Sequence, residues 1–435
     1  MHNEKDGEKD FFEIEGLAGQ RILSGTISVG GAKNAVLKVL ASSLLFKNEV
    51  SLSNVPDIED VHRILEILED LGVVVEKKNA HTYKLFTDKI NTHIISPEIA
   101  KRIRASIVLT GPLLARLGKV SFPHPGGCVI GKRPIDVFME GFDLLGAEVE
   151  EKENSYLIKT KNKNLHGAEI FLKTPSVTGT ETLMMTAVLA KGTTVIKNAA
   201  LEPEIESLGD FLNQCGAKIS GLGTPTITIV GGDLLDGANQ TYVTMPDRIE
   251  AGSFVVLGAL AGEDLTVDKC NPTQIDSLLY YLRNSGVKME VGTDYVRIKG
   301  AQPKVFKSFD VKTHEYPSFP TDLQAPLSVF LTQTTGQSFI FETIFEGRLQ
   351  YLETLVRMGA DAKILDAHRA IVEGPTPLHG RQVESPDLRA GLAYVLAGII
   401  ASGQTVVHNV YYIDRGYENI IERLKKVGVK IARKN

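Results

Sequence analysis

The stretch ILEILEDLGVVVE, residues 64–76, carries the pattern that decides the fold. The apolar side chains of Ile64, Leu65 and Leu68 recur at helical spacing and place one apolar stripe along a helix. Gly72 stands where a residue in the left-handed conformation ends a helix, and the alternation after it is typical of a strand. The stretch therefore predicts a helix, a glycine cap and a strand in succession.

The same pattern recurs five more times, at intervals of about 70 residues. The further copies are FMEGFDLLGAEVE (138–150, Gly146), LGDFLNQCGAKIS (208–220, Gly216), LLYYLRNSGVKME (278–290, Gly286), LETLVRMGADAKI (352–364, Gly359) and IERLKKVGVKIA (421–432, Gly428). Each unit also holds a second apolar segment that ends in a turn and an extended run. A unit reads as strand, helix, strand, strand, helix, strand, so we expect an α/β protein with three units in each of two lobes.

Composition and charge limit the classes of partner. The 435 residues are 43% apolar and 23% charged, which is typical of a folded globular chain. The net charge of −5 argues against a general attraction to nucleic acid or to an anionic membrane. No stretch approaches the roughly 20 apolar residues of a membrane span. The three widely spaced cysteines argue against a disulfide framework, so we expect a cytoplasmic protein. The first residues are polar, and we expect them to form a solvated tail.

Basic residues stand where the second helix of several units begins. Lys33, Arg104, Arg248 and Arg389 all occupy such positions. A cation at a helix N-terminus opposes the helix dipole unless an anion lies between them. The recurrence therefore indicates a site for phosphate or carboxylate. For a single acidic residue such as Asp322, the simpler interpretation is a helix N-cap.

A second unusual segment is HPGGCVIGKRP, residues 124–134, in which Cys128 lies between glycines and near the cations Lys132 and Arg133. Most lone cysteines are small buried residues, but neighbouring cations stabilise a thiolate, and glycines would let the segment close over a ligand as a lid. The sequence contains no Walker loop, no strand-flanked GxGxxG and no HExxH. We therefore expect neither a metal nor a cofactor.

Eight motifs in order resemble the enolpyruvyl transferase family, and most closely its members that act on UDP-N-acetylglucosamine. They are GGAKNA, RASI, PGGCVIGKRPID, EPEI, PDRIE, FPTDLQA, DLRAG and YYIDRGYE. The resemblance runs from about Phe12 to the C-terminus and implies a two-domain inside-out α/β barrel (EPSP synthase-like), with six βαβαββ-type repeats, buried helices and outer sheets. It also implies that residues 1–32 join 246–435 as one lobe, that 33–245 form the other, and that the active site lies in the cleft between them.

The resemblance implies a reaction as well. The enolpyruvyl group of phosphoenolpyruvate is transferred to the 3'-hydroxyl of UDP-N-acetylglucosamine by addition and elimination, with release of phosphate, as the first committed step of peptidoglycan precursor synthesis. Cys128 would donate a proton to the methylene carbon, form a pyruvate adduct and be alkylated by fosfomycin, while Asp322 would accept the proton of the 3'-hydroxyl. Lys33 and Arg389 complete the catalytic set.

Binding residues follow from the same motifs. Phosphoenolpyruvate would be held by Lys33, Asn34, Arg133, Arg389 and Arg415. UDP-N-acetylglucosamine would be held by Arg104, Arg133, Pro134, Ile135, Asp136, Val137, Pro175, Ser176, Val177, Thr178, Asp322 and Ile344. Supporting roles would fall to Glu202, Asp247, Arg348 and Asp387.

The sequence departs from common family patterns at a few positions, which concern contacts to the diphosphate and closure of the lid. They are Thr174, Tyr351, Tyr412, Phe138 and the pair His124-Pro125. Two alternatives stay open: a synthase that uses shikimate 3-phosphate as acceptor, and a silent scaffold that binds a phosphorylated ligand. We expect a monomer that binds only small molecules and does not insert into membranes.

Overall fold

The computed structural model describes residues 10–124, 135–161, 164–300, 302–303 and 305–435. The chain forms two compact units and passes between them after Gly30 and after Met245. The C-terminal unit contains residues 10–30 and 246–435, and the N-terminal unit contains the described residues from 31 to 245. Each unit has its own apolar core.

The helix, glycine and strand predicted from the opening stretch and its five copies are confirmed. The predicted order of elements within a unit is wrong, because among the described residues one strand instead of two separates the two helices, as Thr193–Lys197 separates Val177–Ala187 from Pro203–Gln214. All six glycines have a positive φ, between 93° at Gly146 and 111° at Gly359. The helices that precede these glycines are Glu59–Asp70, Asp136–Leu144, Pro203–Gln214, Asp276–Ser285, Tyr351–Arg357 and Ile420–Lys426. The strands that follow are Val74–Asn79, Ala147–Glu151, Lys218–Ser220, Met289–Val291, Asp361–Ile364 and Lys430–Lys434.

In the described part of the N-terminal unit the strands form three sheets. In spatial order they are Thr241–Val243, Glu49–Ser53, Thr82–Phe86 and Val74–Asn79; Lys119–Pro123, Ser155–Thr160 and Ala147–Glu151; and Lys218–Ser220, Thr226–Val230, Thr193–Lys197 and Glu169–Phe171. The first and third of these sheets each add one parallel edge strand to an otherwise antiparallel set. The strands Glu49–Ser53, Thr193–Lys197 and Thr226–Val230 bury every second side chain, so one face of each of these sheets packs on the core.

The C-terminal unit also has three sheets among its described residues. They are Gln382–Glu384, Gln404–His408, Phe11–Glu15 and Lys430–Lys434; Met289–Val291, Tyr295–Lys299, Gly262–Asp268 and Leu23–Ser28; and Phe306–Lys307, Thr334–Phe341, Arg369–Gly374 and Asp361–Ile364, with Val311–Lys312 also paired to Thr334–Phe341. Phe11–Glu15 pairs with both Gln404–His408 and Lys430–Lys434, so the N-terminal strand completes a sheet made by the end of the chain.

The second helices of the units are the most buried elements. They are Lys33–Ser42, Thr110–Leu117, Val177–Ala187, Arg248–Ala261, Gln324–Leu331 and Leu388–Ile400. Every residue of Arg248–Ala261 is buried, as the apolar run in this segment predicts. Shorter helical turns are Pro97–Ala100, Tyr411–Asp414, Ser43–Leu45, Arg104–Leu109, Pro272–Ile275, Thr321–Leu323 and Arg348–Gln350. Two of the basic residues at the starts of these helices, Arg248 and Arg389, are themselves buried.

The glycine caps can be tested at Gly216, where φ is +103° and no atom lies within 4 Å of an added Cβ. Gly216→Ala would cause backbone strain but no steric clash, so we expect the free energy of unfolding to fall by about 1–2 kcal/mol. Gly232→Ala is the matched control, because Gly232 also has open space but no positive φ. We expect the control to be neutral or to stabilise by about 0.5 kcal/mol. Urea denaturation measures both, and equal midpoints for the two variants would contradict the assigned cap.

Candidate active site

Asp322 is held between two arginines in the C-terminal unit. Its Oδ1 accepts a hydrogen bond of 2.9 Å from Arg348, and its Oδ2 accepts two from Arg389, of 3.1 Å from Nε and 2.9 Å from the terminal nitrogen. The two arginine side chains are 5% and 6% exposed, whereas the Asp322 side chain is 26% exposed. The cations are therefore buried behind a carboxylate that keeps one open edge.

This arrangement fixes the protonation state of Asp322. Burial by itself raises the pKa of a carboxyl, but the guanidinium groups of Arg389 and Arg348 outweigh burial and hold the pKa of Asp322 far below its usual range. The carboxylate is therefore ionised at neutral pH. It accepts hydrogen bonds readily, but it is a weak base as long as both arginines bind it.

Arg389 owes its position to the start of the helix Leu388–Ile400. Asp387 caps this helix, since its side chain accepts hydrogen bonds from the N–H groups of Arg389 and Ala390 at 2.8 and 3.1 Å. Arg389 also donates to the hydroxyl of Tyr417 at 2.9 Å. Burial lowers the pKa of Arg389, but Tyr417, Asp322 and Asp247 raise it above its ordinary value, so the guanidinium stays charged.

A second carboxylate stands behind Asp322. Glu342, which is fully buried, accepts a hydrogen bond of 2.9 Å from the Thr321 hydroxyl, and that hydroxyl accepts one of 2.9 Å from Arg348. The other carboxylate oxygen of Glu342 accepts from the backbone N–H of Ile344 at 2.8 Å. Ile344, a residue assigned by resemblance to UDP-sugar binding, is thus tied to the same network as Asp322.

In the N-terminal unit, Lys33 begins the helix Lys33–Ser42 and its ammonium lies 2.5 Å from Asp60. Asp60 is buried and belongs to the helix Glu59–Asp70. The cation that opposes the helix dipole is therefore neutralised by a carboxylate of the chain itself. Asn34 follows in the same helix turn, and its carbonyl accepts a hydrogen bond of 2.7 Å from Lys38.

Lys38 links this turn to a buried acid. Its ammonium lies 3.1 Å from Glu181, whose side chain is fully buried. The pKa of Glu181 is raised to about 7, chiefly by burial and also by the nearby Glu204 and Glu202, while Lys38 opposes this rise. Glu181 is therefore an acid whose protonation changes near neutral pH.

Several residues assigned to binding have a structural role of their own. Ser176 caps the helix Val177–Ala187 by accepting from Gly179, and Asp247 caps Arg248–Ala261 by accepting from Ile249 and Glu250. The other predicted binding and supporting residues in this group are half-buried or buried at element ends, namely Pro175, Val177, Thr178, Glu202, Arg104 and Arg415.

The interpretation of Asp322 as a helix N-cap is wrong. The turn Thr321–Leu323 has Pro320 at the capping position, and no side chain makes a capping hydrogen bond there. The carboxylate of Asp322 instead forms ion pairs with Arg348 and Arg389, which are distant in sequence.

Part of the predicted site lies outside the described residues, namely Cys128, Arg133, Pro134 and the rest of 125–134. Directly after it, Ile135 and Val137 are half-buried and Asp136 is exposed at the first turn of Asp136–Leu144. Directly before it, the His124 ring stacks on Tyr156 with centroids 4.5 Å apart.

The positions that depart from family patterns are spread over different environments. Phe138 is buried in the core, and Tyr351 is buried with its hydroxyl 2.6 Å from that of Ser328. Burial also raises the pKa of Tyr351, so this side chain stays neutral. Tyr412 is half-buried and Thr174 is exposed.

The sequence analysis missed four residues of the network: Asp60, Glu181, Glu342 and Tyr417. Tyr417 lies inside the quoted motif YYIDRGYE, so a motif signal was present. Asp60 and Glu181 lie on other elements than the lysines they pair with, and Glu342 lies on another element than Thr321, so only tertiary structure shows these contacts.

The described residues show neither a metal cluster nor a membrane-spanning helix. No group of three or more His, Cys, Asp or Glu side chains is arranged to hold a metal ion. No helix in the same part of the chain is both long enough and apolar enough to cross a membrane.

Comparison with known proteins gives the class. The family model described as EPSP synthase (3-phosphoshikimate 1-carboxyvinyltransferase) matches residues 17–424. The solved structure of the enolpyruvyl transferase NikO from Streptomyces tendae has a TM-score of 0.84 with this chain, covers 98% of both chains and is 22% identical in sequence. That likeness shows the fold, a two-domain α/β enolpyruvyl transferase fold.

Relatives of higher identity narrow the class. The UDP-N-acetylglucosamine 1-carboxyvinyltransferase of Desulfosudis oleivorans is 43% identical over 417 residues, which cover 96% of this chain and 98% of the relative. UDP-N-acetylglucosamine 1-carboxyvinyltransferase 1 of Caldanaerobacter subterraneus is 43% identical over 413 residues, which cover 95% and 97%. The chain belongs to the EPSP synthase family and, within it, to the UDP-N-acetylglucosamine 1-carboxyvinyltransferases.

The raised pKa of Glu181 predicts a pH dependence of stability. The folded chain keeps a proton on Glu181 up to about pH 7, whereas the unfolded chain releases it near the ordinary value of 4.5. Stability therefore falls as pH rises through this window. The side chain of Glu181→Gln cannot titrate. We therefore expect the free energy of unfolding of the variant, relative to that of the wild type, to increase by up to about 3 kcal/mol between about pH 5 and pH 8.

Urea denaturation at several pH values measures this difference. Glu206→Gln is the control, because Glu206 is an exposed carboxylate in the same unit. Stability curves for the wild type and Glu181→Gln that run parallel across this range would contradict the buried titration.

Proposed function

We propose that this protein transfers the enolpyruvyl group of phosphoenolpyruvate to the 3'-hydroxyl of UDP-N-acetylglucosamine and releases phosphate, the first committed step of peptidoglycan precursor synthesis. The observation that carries the proposal is the 43% identity, over 96% of the chain, to a protein named for this reaction. The arrangement of charges around Asp322 and Lys33 supports it, because both substrates are anions.

The basic groups explain how the anions are bound. Lys33, Asn34, Arg133, Arg389 and Arg415 hold phosphoenolpyruvate in this proposal. In the described structure the half-buried Lys33 is paired with Asp60 and the buried Arg389 with Asp322, so each cation already has a carboxylate partner within the chain. A carboxylate or phosphate must share their N–H groups, and those charge-assisted hydrogen bonds then orient it.

The same sharing affects Asp322. When an anion takes hydrogen bonds from Arg389, one of the two cations that depress the pKa of Asp322 is partly withdrawn. Asp322 then becomes a stronger base at the moment when the acceptor hydroxyl must lose its proton. Its open edge, 26% exposed, leaves room for that hydroxyl. Arg348 keeps the carboxylate in place through Oδ1.

Cys128 completes the chemistry as the proton donor to the methylene carbon. Cys215 and Cys270 do not compete for this role, because burial raises the pKa of each thiol to about 11. Both are free and buried, which also agrees with a reducing, cytoplasmic location. The remaining assigned residues would contact the UDP-sugar or support the loops that do.

We also infer the finer architecture, a pair of inside-out barrels with three repeats each, in a monomer that does not insert into membranes. Lobes of residues 1–32 with 246–435 and of 33–245 belong to this inference. The six helix, glycine and strand segments and the buried second helices support it.

The activity is tested by phosphate release from phosphoenolpyruvate with each acceptor. We expect release with UDP-N-acetylglucosamine and none with shikimate 3-phosphate. Release that depends on shikimate 3-phosphate would favour the synthase that gives the family model its name, and no release with either acceptor would favour a silent scaffold.

Cys128→Ser tests the proton donor. We expect it to bind UDP-N-acetylglucosamine but to lose most turnover, because a serine hydroxyl is a far weaker acid than a thiol. Mass spectrometry after fosfomycin treatment should show one adduct per wild-type chain and none in the variant, since the other two thiols are buried. Wild-type turnover by Cys128→Ser would contradict the assigned role.

Asp322→Asn tests the acceptor of the hydroxyl proton. The amide keeps the shape of the side chain but is not a base, so we expect kcat to fall by about 10²–10⁴ while the Kd for UDP-N-acetylglucosamine changes only a few-fold. Single-turnover kinetics and calorimetric titration separate the two quantities. Equal losses in rate and affinity would mean that Asp322 only binds.

A further inference from the structure

Glu342 is a buried acid that nothing above assigns to the reaction. It directly follows the strand Thr334–Phe341 and is 0% exposed. Its backbone is fixed to His368, since the N–H of Glu342 donates to the carbonyl of His368 at 2.8 Å, and the His368 ring lies 2.7 Å from the carbonyl of Glu342. The carboxylate therefore projects from a rigid point of the sheet.

The two oxygens of this carboxylate serve two different segments. Oε1 accepts hydrogen bonds from the N–H groups of Ile344 and Phe345, at 2.8 and 3.1 Å, and so fixes the turn that presents Ile344. Oε2 accepts from the hydroxyl of Thr321 at 2.9 Å, and Thr321 directly precedes Asp322. One rigid group thus sets the geometry of both segments.

The link to Asp322 passes through a single nitrogen of Arg348. This nitrogen donates to the Thr321 hydroxyl and to Oδ1 of Asp322, at 2.9 Å in both cases. Because the Thr321 hydroxyl gives its own proton to Glu342, its lone pairs face Arg348. The direction of each hydrogen bond is therefore set by the negative charge of Glu342.

Burying a carboxylate costs several kcal/mol unless its hydrogen bonds are satisfied. A neutral side chain could cap the turn at Ile344 equally well, but it would not orient the Thr321 hydroxyl in the same way. A carboxylate at position 342 is explained if it aligns Arg348 and Asp322 through the Thr321 hydroxyl and also fixes the turn at Ile344.

We propose that Glu342 is a positioning residue that aligns the proton acceptor Asp322 and the UDP-sugar contact Ile344 from one carboxylate, and so couples binding of the acceptor substrate to removal of its proton. The proposal rests on the function proposed above. We call the hydrogen bond from Thr321 to Glu342 the arm to Asp322, and the hydrogen bonds from Ile344 and Phe345 to Glu342 the arm to Ile344. The proposal predicts that the two arms have separate effects, because the arm to Asp322 changes kcat and the arm to Ile344 changes substrate binding.

The arm to Asp322 is tested with Thr321→Val and its control Thr321→Ser. Valine has nearly the same shape as threonine but no hydroxyl, so it cuts the link between Glu342 and Arg348 and leaves the bonds to Ile344 and Phe345 intact. We expect kcat to fall about tenfold with KM for UDP-N-acetylglucosamine within about twofold. Thr321→Ser keeps the hydroxyl and should retain the wild-type kcat.

Both arms are tested with Glu342→Gln and Glu342→Ala. The glutamine oxygen can still accept from Ile344 and Phe345, but its amide donates to Thr321 instead of accepting, so this variant should behave as Thr321→Val. Alanine removes both arms, and we expect KM to rise about tenfold in addition to the loss of kcat. Thermal unfolding with and without UDP-N-acetylglucosamine shows whether each variant is folded and binds.

The result that overturns the proposal is an equal kcat for Thr321→Val and Thr321→Ser, or a KM that rises in Thr321→Val as much as kcat falls. These two variants differ by little in bulk, so the comparison holds even if Glu342→Ala does not fold. Absence of turnover in the wild-type protein with both substrates would overturn the proposed function, whereas wild-type turnover with indistinguishable Thr321 variants overturns only the role of Glu342.

Discussion

The ion pairs of Asp322 with Arg348 and Arg389 are the interaction on which the rest of the candidate site depends. Two guanidinium groups that are 5% and 6% exposed share one carboxylate that is 26% exposed. Removing one partner of a buried pair costs about 3–5 kcal/mol, because the remaining charge stays buried. The fold therefore has to keep all three side chains together, and the substrate meets a carboxylate already aligned and ionised.

The same principle operates at Lys33 in the other unit. A cation at a helix N-terminus is unfavourable by itself, and the chain places Asp60 against Lys33 and Asp322 against Arg389. These carboxylates stabilise the cations in the folded chain, and in the proposed function they share them with an anionic substrate. Binding energy is thereby used to alter the groups that take part in the reaction.

The sequence predicted the local structure well because local structure depends on neighbouring residues. Helical spacing followed by a glycine identified six helix ends, and all six glycines have the left-handed φ that only glycine adopts without strain. The second apolar segment expected in each unit is also present, and in the fourth unit it is the fully buried helix Arg248–Ala261. Asp322 could not be understood in this way, since its partners lie 26 and 67 residues further along the chain. Glu342 and Asp60 were missed because a single acid among 53 acidic residues carries no local signal.

The motif resemblance supplied the candidate residues, and the structure showed which of the described ones meet. A crystal structure of the protein with UDP-N-acetylglucosamine bound would test the central role of Asp322 most directly, by the distance between the 3'-hydroxyl oxygen and the nearer Asp322 carboxylate oxygen. We expect about 2.6–3.2 Å, with the hydrogen bond from Arg348 to Oδ1 retained. A 3'-hydroxyl that lies beyond hydrogen-bond reach of Asp322, with no water between them, would contradict its role as the proton acceptor.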